Sequence, residues 1–265
     1  MKPEKFLYFS DLHIPHHHGK TVDDIAALIS EHKPDHLICG GDLFEGNAAS
    51  RWPTEDSHDL EEEYRTACDI LKKLRCAAPK NCRSVWTFGN HDQNLLDQNR
   101  IPKALRSLCD WNANPTMFPE FSNWTQRRYE ARKTICTYRV GQVTFMHGFT
   151  ASNSGLTAQM YEYCPIWGAL VTGHTHRPTE LIQAVHCGSR LPYWRMSNGC
   201  AQDYKNTDKV HYMRRTSTAN WGHSAITGWA VPIKSPREGR YWDMENIIFR
   251  QGADFERIWE PKINV

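Results

Sequence analysis

Five short polar stretches, each placed directly after an apolar run, contain residue types that bind metal ions. They are Asp11-Leu12-His13, Gly41-Asp42, Gly89-Asn90-His91-Asp92, His147-Gly148 and Gly173-His174-Thr175-His176. A run such as Phe6-Leu7-Tyr8-Phe9 is typical of a buried strand, and the ends of such strands meet at one edge of an α/β sheet, where ligands bind. We therefore expect these stretches, which are far apart in sequence, to form one site.

The spacing and types of these residues favour a site for divalent metal ions. Asp11 and His13 are two residues apart, so on an extended backbone their side chains leave the same side of the chain. The seven candidate donors are Asp11, His13, Asp42, Asn90, His147, His174 and His176. This mixture of oxygen and imidazole donors suits Mn, Fe, Zn or Ni better than Ca, which prefers an all-oxygen cage. Seven donors exceed the needs of one ion, so the sequence predicts two divalent metal ions that share a carboxylate, with manganese as the first expectation.

Two such ions predict a hydrolytic reaction at phosphorus. Cations about 3.5–4 Å apart can activate a bridging hydroxide and hold the oxygens of a phosphoryl group for in-line attack. His91 lies next to the proposed ligand Asn90 and is predicted to protonate the leaving oxygen, with Asp92 as the partner that orients it. Glycine at 89 fits a backbone that turns tightly beside a charged ligand.

The elements that must position these residues follow from hydrophobic periodicity. Strands are predicted at residues 6–9, 36–39, 84–88, 142–146 and 169–171. One helix is predicted to begin at Thr21 as its N-cap and to end before Pro34. A second helix is predicted at residues 60–74, where one apolar stripe lies among charged residues.

Two parts of the chain have a looser pattern. The insertion at residues 93–134 combines aromatic with basic residues and is predicted to line the substrate site rather than to extend the sheet, because long loops in compact domains are usually functional or disordered. From residue 180 onward, short runs among Gly, Pro, Ser and Asn predict antiparallel strands that complete a second sheet. No repeat or linker divides the sequence, so we predict a single domain over residues 1–265.

The composition is that of a globular protein with little net charge. A net charge of +2 and a pI of about 8.1 do not mark a dedicated nucleic-acid binder, for which a strong basic excess is expected. The nine cysteines are scattered and form no C-x-x-C pair, which argues against a disulfide framework and a zinc ribbon. The sequence shows neither the apolar segment of a signal peptide nor the run of roughly 18 apolar residues that a membrane span needs. These features predict a soluble cytoplasmic protein and leave the oligomeric state open.

In their order and spacing, the five stretches resemble the motifs of the calcineurin-like metallophosphoesterases, over roughly residues 5 to 178. The resemblance implies an α/β fold in which two mixed β-sheets flanked by helices form a four-layer sandwich. The implied ligands of one metal ion are Asp11, His13 and His176. Those of the other are Asn90, His147 and His174, and the implied bridge is Asp42. His91 matches the catalytic histidine of the family, which contacts the substrate phosphate.

The substrate remains open among three classes of function. A phosphodiester, as in DNA, RNA or a nucleotide, is the first expectation. The alternatives are a phosphomonoesterase acting on a protein or a small molecule, and a non-catalytic metal-binding scaffold of the same fold that docks a partner protein.

Several other motifs have both a binding and a structural interpretation. Trp124 and Tyr129 lie near a basic cluster, and together they could form a base-stacking patch for nucleic acid, although a solvated charged face is favoured. The basic residues are Arg127, Arg128, Arg132 and Lys133. The run His16-His17-His18 is predicted to be a solvated loop outside the site. In the tail, the turn-like stretches 188–190 and 198–200 could border the phosphate, although a structural hairpin is favoured. Tail residues that either pack or reach the rim of the site are Arg214, Arg215, Trp221 and His223.

Overall fold

The short apolar runs of the first ninety residues form parallel strands at the centre of the larger of two β-sheets. The computed structural model describes residues 2–47, 59–97, 99–185, 192–206, 218, 220–231, 241–249 and 256–257. Within them the strands are β1 (Glu4–Phe9), β2 (His36–Cys39), β3 (Arg83–Thr87), β4 (Thr125–Arg127), β5 (Tyr138–Val140), β6 (Val143–Met146), β7 (Ala169–Thr172), β8 (Ile182–Val185), β9 (Pro192–Ser197), β10 (Ser224–Ala230), β11 (Trp242–Ile248) and β12 (Glu256–Arg257). The larger sheet has the order β12-β11-β10-β1-β2-β3-β4, and the smaller has the order β5-β6-β7-β9-β8.

Helices cover the outer face of each sheet. They are α1 (Gly19–His32), α2 (Leu60–Ala77), α3 (Asn90–Leu96), α4 (Arg106–Cys109), α5 (Lys133–Cys136) and α6 (Asn153–Tyr163), with short 3-10 turns at Lys103–Leu105, Trp111–Ala113 and Pro119–Asn123. The apolar face of α1 and α2 packs on the larger sheet, and α6 packs on the smaller. A third apolar cluster, which includes Phe6, Tyr8 and Phe145, fills the space between the sheets. The four-layer α/β sandwich of two mixed sheets is thus confirmed.

The strands after residue 180 join both sheets rather than one. β8 and β9 belong to the smaller sheet, as expected. β10 instead pairs antiparallel with β1, with Leu7 opposite Thr227, and β11 follows it in the larger sheet. The prediction that the tail completes only the second sheet is therefore wrong, because the free edge of β1 takes up two of its strands.

The insertion at residues 93–134 extends the larger sheet, contrary to the prediction. β4 pairs in parallel with β3, and Thr87 lies opposite Arg127. Four aromatic residues of the insertion are buried: Trp111, Phe118, Phe121 and Trp124. The ring of Phe118 packs against Tyr64 of α2, with centroids 5.2 Å apart. Burial of these large rings contributes core area that a loop lining the substrate site would have left exposed.

Two further features of the described residues bear on the sequence predictions. The cysteines among them are all free thiols, as their scattered spacing predicts. No helix in the described part of the chain is long and apolar enough to cross a membrane.

Glu63 is a buried acid on the inner face of α2, with 3% of its surface exposed. Its Oε1 accepts a hydrogen bond from the backbone N–H of Gly46 at 2.8 Å. Burial raises the pKa of Glu63 from its ordinary 4.5 to about 8. Between these values the unfolded chain has released the proton while the folded chain keeps it, so the free energy of unfolding falls as pH rises.

We expect Glu63→Gln to abolish this loss of stability, because the amide keeps the acceptor for Gly46 and cannot ionise. At pH 8 the variant should exceed the wild type in free energy of unfolding by on the order of 4 kcal/mol, with little difference at pH 4. Urea unfolding at both pH values in EDTA measures this, and the exposed Glu62→Gln serves as the matched control. Equal pH slopes for Glu63→Gln and the wild type would show that Glu63 ionises as freely as a surface carboxylate.

Candidate metal centre

The five polar stretches meet where the chain leaves β1, β2, β3, β6 and β7. Their backbones are hydrogen-bonded to one another. The N–H of Asp11 donates to the O of Gly41 at 2.9 Å, and the N–H of Gly173 donates to the O of His147 at 3.0 Å. The structure therefore brings these distant stretches together at one edge of the sandwich.

Most of the predicted ligands have a left-handed backbone conformation. The φ angles are 58° at Asp11, 48° at His13, 47° at Asp42, 65° at His174 and 57° at His176. Residues other than glycine seldom adopt this region, and such strain concentrates at functional sites. The extended backbone expected at Asp11 and His13 is wrong: the chain turns sharply at both residues, and these turns aim both side chains inward.

The first donor group consists of Asp11, His13 and His176, whose side chains are all buried. Asp11 Oδ1 lies 3.1 Å from Nε2 of His176. The Nε2 atoms of His13 and His176 are 3.3 Å apart. Three donor atoms from β1 and β7 thus converge on a single point.

The second donor group consists of Asp42, His147 and His174. Asp42 Oδ2 lies 3.2 Å from Nε2 of His147, which in turn lies 3.2 Å from Nδ1 of His174. The other ring nitrogen of His147, Nδ1, donates to the backbone O of Gly40 at 2.8 Å, which fixes the tautomer of the ring. Asp42 Oδ2 is also 3.8 Å from Nε2 of His13, so this carboxylate lies between the two groups.

The donor set fits bound divalent cations. The Oδ1 of Asn90 is buried and has no hydrogen-bond partner among the described residues. A buried amide oxygen without a partner calls for an explanation, and a bound cation provides one. Imidazole and carboxylate donors suit Mn, Fe, Zn or Ni.

The charges of the ligands balance one another within the buried site. Burial alone would lower the pKa of His13, but the hydrogen bond and charge of Glu45 raise it to about 9. Burial also opposes the charged form of His147, but the negative charge of Asp42 raises the pKa of His147 to about 9. Burial and the charge of His147 lower the pKa of His174 to about 4. A cation that enters must displace the protons of His13 and His147, because ligands bind metals in their deprotonated forms.

His91 lies beside the two donor groups, near the start of α3. Its Nδ1 donates to the backbone O of Glu45 at 2.7 Å, and its backbone N–H donates to Asp42 Oδ1 at 3.0 Å. Its ring centroid is 4.8 Å from that of His13. Because Nδ1 is engaged, Nε2 is the nitrogen available for proton exchange with a substrate.

Asp92 was predicted to orient the ring of His91, and this prediction is wrong, because the Nδ1 of His91 bonds to Glu45 instead. Its carboxylate accepts four hydrogen bonds of 2.8 to 3.2 Å. The donors are the backbone N–H groups of Leu43, Phe44 and Gly89 and the indole of Trp86. Asp92 is the third residue of α3, so its side chain turns back toward the helix N-terminus. It holds the loop after β2 against α3, and Glu45 makes the orienting contact to His91 instead.

Glu45 is a site residue that the sequence did not reveal. Its Oε2 lies 2.8 Å from Nδ1 of His13, while its backbone O accepts from His91. One residue thus orients a candidate metal ligand and the candidate acid, as carboxylates behind metal-binding histidines commonly do. The only signal in the sequence is an acidic residue three positions after Asp42, which nothing distinguishes from a surface carboxylate.

The run His16-His17-His18 is not a solvated loop, so that prediction is wrong. His16 is buried. The ring of His18 caps α1 by accepting the N–H of Thr21, and it stacks on His223 with centroids 4.5 Å apart. The helix therefore begins before Thr21, the predicted N-cap.

The remaining sequence motifs divide between packing and the site rim. Trp124 is buried and donates its indole N–H to Glu120, so it is not a stacking platform for bases. Trp221 lies against His176, with ring centroids 4.0 Å apart. Asn198 is buried and bonded to Ser10. The stretch 188–190, Arg214 and Arg215 lie outside the described residues.

Buried carboxylate and histidine donors at the strand edge of a two-sheet α/β sandwich are an arrangement that suits a metal-dependent hydrolase. The model of the family described as calcineurin-like phosphoesterase matches residues 4–178, and the chain belongs to this family. Hydrolysis of a phosphate ester is accordingly its class of activity.

Comparisons with individual proteins add little to this assignment. No curated protein sequence matches the chain. Similar solved structures include Vacuolar Protein Sorting 29 from Cryptosporidium parvum (16% identity, covering 97% of this chain and 99% of that one, TM-score 0.47). Others are the phosphoesterase Yfce from E. coli (13%, 86% and 91%, 0.41) and the nuclease MPE from Pseudomonas putida (16%, 72% and 73%, 0.35). Family membership rests on the family model, not on these scores.

Proposed function

We propose that the chain is a binuclear metal-dependent phosphoesterase that prefers a phosphodiester. The observation that carries the proposal is the position of Asp42 between two buried donor groups. Its Oδ2 lies 3.2 Å from a nitrogen of His147 in one group and 3.8 Å from a nitrogen of His13 in the other. A shared carboxylate is what two neighbouring cations require.

Each donor group would hold one divalent cation, with Asp42 common to both. The ligands of the first are Asp11, His13 and His176, and those of the second are His147, His174 and Asn90. Manganese is the first expectation, and Fe, Zn or Ni suits the same donors. A cation pair supplies neutralisation of the phosphoryl charge and activation of water.

Three residues outside the donor groups complete the machinery. His91 would protonate the leaving oxygen through Nε2, because its Nδ1 is held by the backbone O of Glu45. Glu45 and Asp92 are positioning residues: one orients His13 and His91, and the other fixes the loop after β2 against α3.

The charges around the site favour a diester over a monoester. Among the described residues, the ion pairs of Asp11 and Asp42 are all with histidines, without arginine or lysine. The cation pair would therefore supply the positive charge at the phosphate, and a diester, with one negative charge, needs less of it than a monoester dianion. Nucleic acid remains one candidate diester, although burial of Trp124 removes one of the two stacking residues of the proposed patch.

We expect protein stripped with EDTA and resupplied with Mn²⁺ to hydrolyse bis-p-nitrophenyl phosphate faster than p-nitrophenyl phosphate. His91→Ala should lower kcat by about 10²–10⁴-fold with unchanged metal content, because His91 protonates the leaving group without binding metal. Initial rates and elemental analysis measure both quantities. Faster turnover of the monoester would make the protein a phosphomonoesterase. Metal binding without turnover of either substrate would support the non-catalytic scaffold.

A further inference from the structure

The chain leaves β4 at the same edge of the larger sheet as the metal centre. β4 runs parallel to β3, and the N–H of Phe88 donates to the O of Arg127 at 2.7 Å. The carboxyl ends of parallel strands lie at one edge of a sheet, where β3 is followed by Asn90. The residues after β4 therefore reach this edge as well, and Tyr129 is the second of them.

Tyr129 contacts the turn that carries a proposed metal ligand. Its hydroxyl donates to the backbone O of Gly148, which directly follows His147, at 3.0 Å. The centroid of its ring lies 5.9 Å from that of His147 and 4.6 Å from that of Phe149. One side chain of the insertion thus contacts each residue of the segment 147–149, which we call the His147 turn.

The conformation of the His147 turn depends on contacts with neighbouring elements. Gly148 has a φ angle of 102°, in the region that favours glycine. Because glycine loses more conformational freedom on folding than other residues, the turn needs contacts that hold it in place. Two side chains from opposite sides supply them. Tyr129 bonds to the O of Gly148, and Gln159 of α6 accepts the N–H of Phe149 through Oε1 at 2.8 Å.

The position of the His147 turn determines where the ring of His147 meets the other donors of the second group. Its Nε2 lies 3.2 Å from Oδ2 of Asp42 and 3.2 Å from Nδ1 of His174. A bond from histidine to zinc is about 2.0–2.1 Å long, so a small displacement of the turn would weaken the contact with a cation at this point. Residues that hold a metal-binding histidine in place therefore contribute to metal affinity.

We propose that Tyr129 is a positioning residue of the second donor group, through which the insertion at residues 93–134 sets the affinity for one of the two metal ions. This inference rests on the proposed function, because it takes His147 and His174 as ligands of that ion. Tyr129 holds the His147 turn from the side of β4, and Gln159 holds it from the side of α6. The ion of the first donor group is insensitive to Tyr129, since the contacts of this residue are with the turn of the second.

Titration of the EDTA-stripped protein with Mn²⁺ tests this role without a substrate. Tyr129→Phe keeps the ring and removes only the hydrogen bond to Gly148, so calorimetry should show an affinity about tenfold lower for one ion and unchanged for the other. Tyr64→Phe is the matched control, because the hydroxyl of Tyr64 also donates to a backbone O, that of Cys109 at 2.6 Å, within the aromatic core. It should lower the free energy of unfolding and leave both affinities unchanged.

A double variant identifies the ion that Tyr129 affects. His147→Ala removes a ligand of the second group, and Tyr129→Phe should cause no further loss of Mn²⁺ affinity in that background, because it acts through His147. A further loss in the double variant would show that Tyr129 acts elsewhere. An equal loss of affinity in Tyr64→Phe would show a general effect of stability, and either result would overturn the inference.

Hydrolysis of bis-p-nitrophenyl phosphate separates this inference from the proposed function. Weaker binding of one ion in Tyr129→Phe, without hydrolysis by the wild type, would uphold the role of Tyr129 and overturn the proposed function. Hydrolysis by the wild type, with both Mn²⁺ affinities unchanged in Tyr129→Phe, would overturn the role of Tyr129 alone.

Discussion

Asp42→Asn is expected to lower the metal content and to reduce kcat/KM by about 10³-fold, because several kcal/mol of charge stabilisation depend on the cations. The Asp42 carboxylate lies between His147 and His13. An amide in its place loses the negative charge that a bridge requires. The NH₂ group of the asparagine would also replace one carboxylate oxygen. It would then face either the ring nitrogens of the histidines or the backbone N–H of His91, which now donates to Asp42 Oδ1. Elemental analysis after dialysis against Mn²⁺ measures occupancy, and bis-p-nitrophenyl phosphate reports the rate.

The same substitution at an exposed acid supplies the control for Asp42. Asp23 pairs with Lys73 on the surface of α1, so Asp23→Asn should retain full metal content and rate. Circular dichroism establishes that both variants are folded. Undiminished metal content in Asp42→Asn would exclude Asp42 as the bridge.

The sequence predicts those parts of the fold that arise from local pattern. Runs such as Phe6–Phe9 are apolar at every position, which is typical of a strand covered on both faces. Their polar ends were therefore expected to converge, and the structure brings them together. Glu45 could not be predicted in this way, because its role depends on the position of His13 across the loop and not on any periodicity.

Long-range pairing is the part of the fold that the sequence leaves undetermined. β10 joins β1 rather than the smaller sheet, although its composition alone suits either. β4 has the sequence Thr-Gln-Arg, without an apolar pattern, and is a strand because the edge of β3 offers unpaired backbone groups. The left-handed turn at Asp11 likewise depends on tertiary contacts, here its backbone bond to Gly41.

Gly89→Ala should disrupt the metal centre as severely as removal of a ligand. A Cβ at this position would lie 2.0 Å from Oδ1 and 2.5 Å from the backbone N of Asp42. The backbone of Gly89 is extended, with φ −93°, so alanine can adopt its conformation and only space is lacking. Because the backbone of Asp42 cannot move without disturbing His91 and the loop after β2, we expect loss of metal and of about 10³-fold in kcat/KM, as for Asp42→Asn.

Substitutions of two other glycines are controls that distinguish damage to the metal centre from a general loss of stability by overpacking. Gly228 lies in β10, away from the metal centre, and a Cβ there would lie 2.2 Å from the backbone O of Asp243. Gly228→Ala should therefore destabilise the fold by about 1–3 kcal/mol but keep its metal ions while folded. Gly19→Ala meets no atom within 4 Å and should change neither stability nor metal content appreciably. If Gly89→Ala behaved like Gly228→Ala, with lower stability but full metal content, the close packing of Gly89 on Asp42 would serve the core rather than the site.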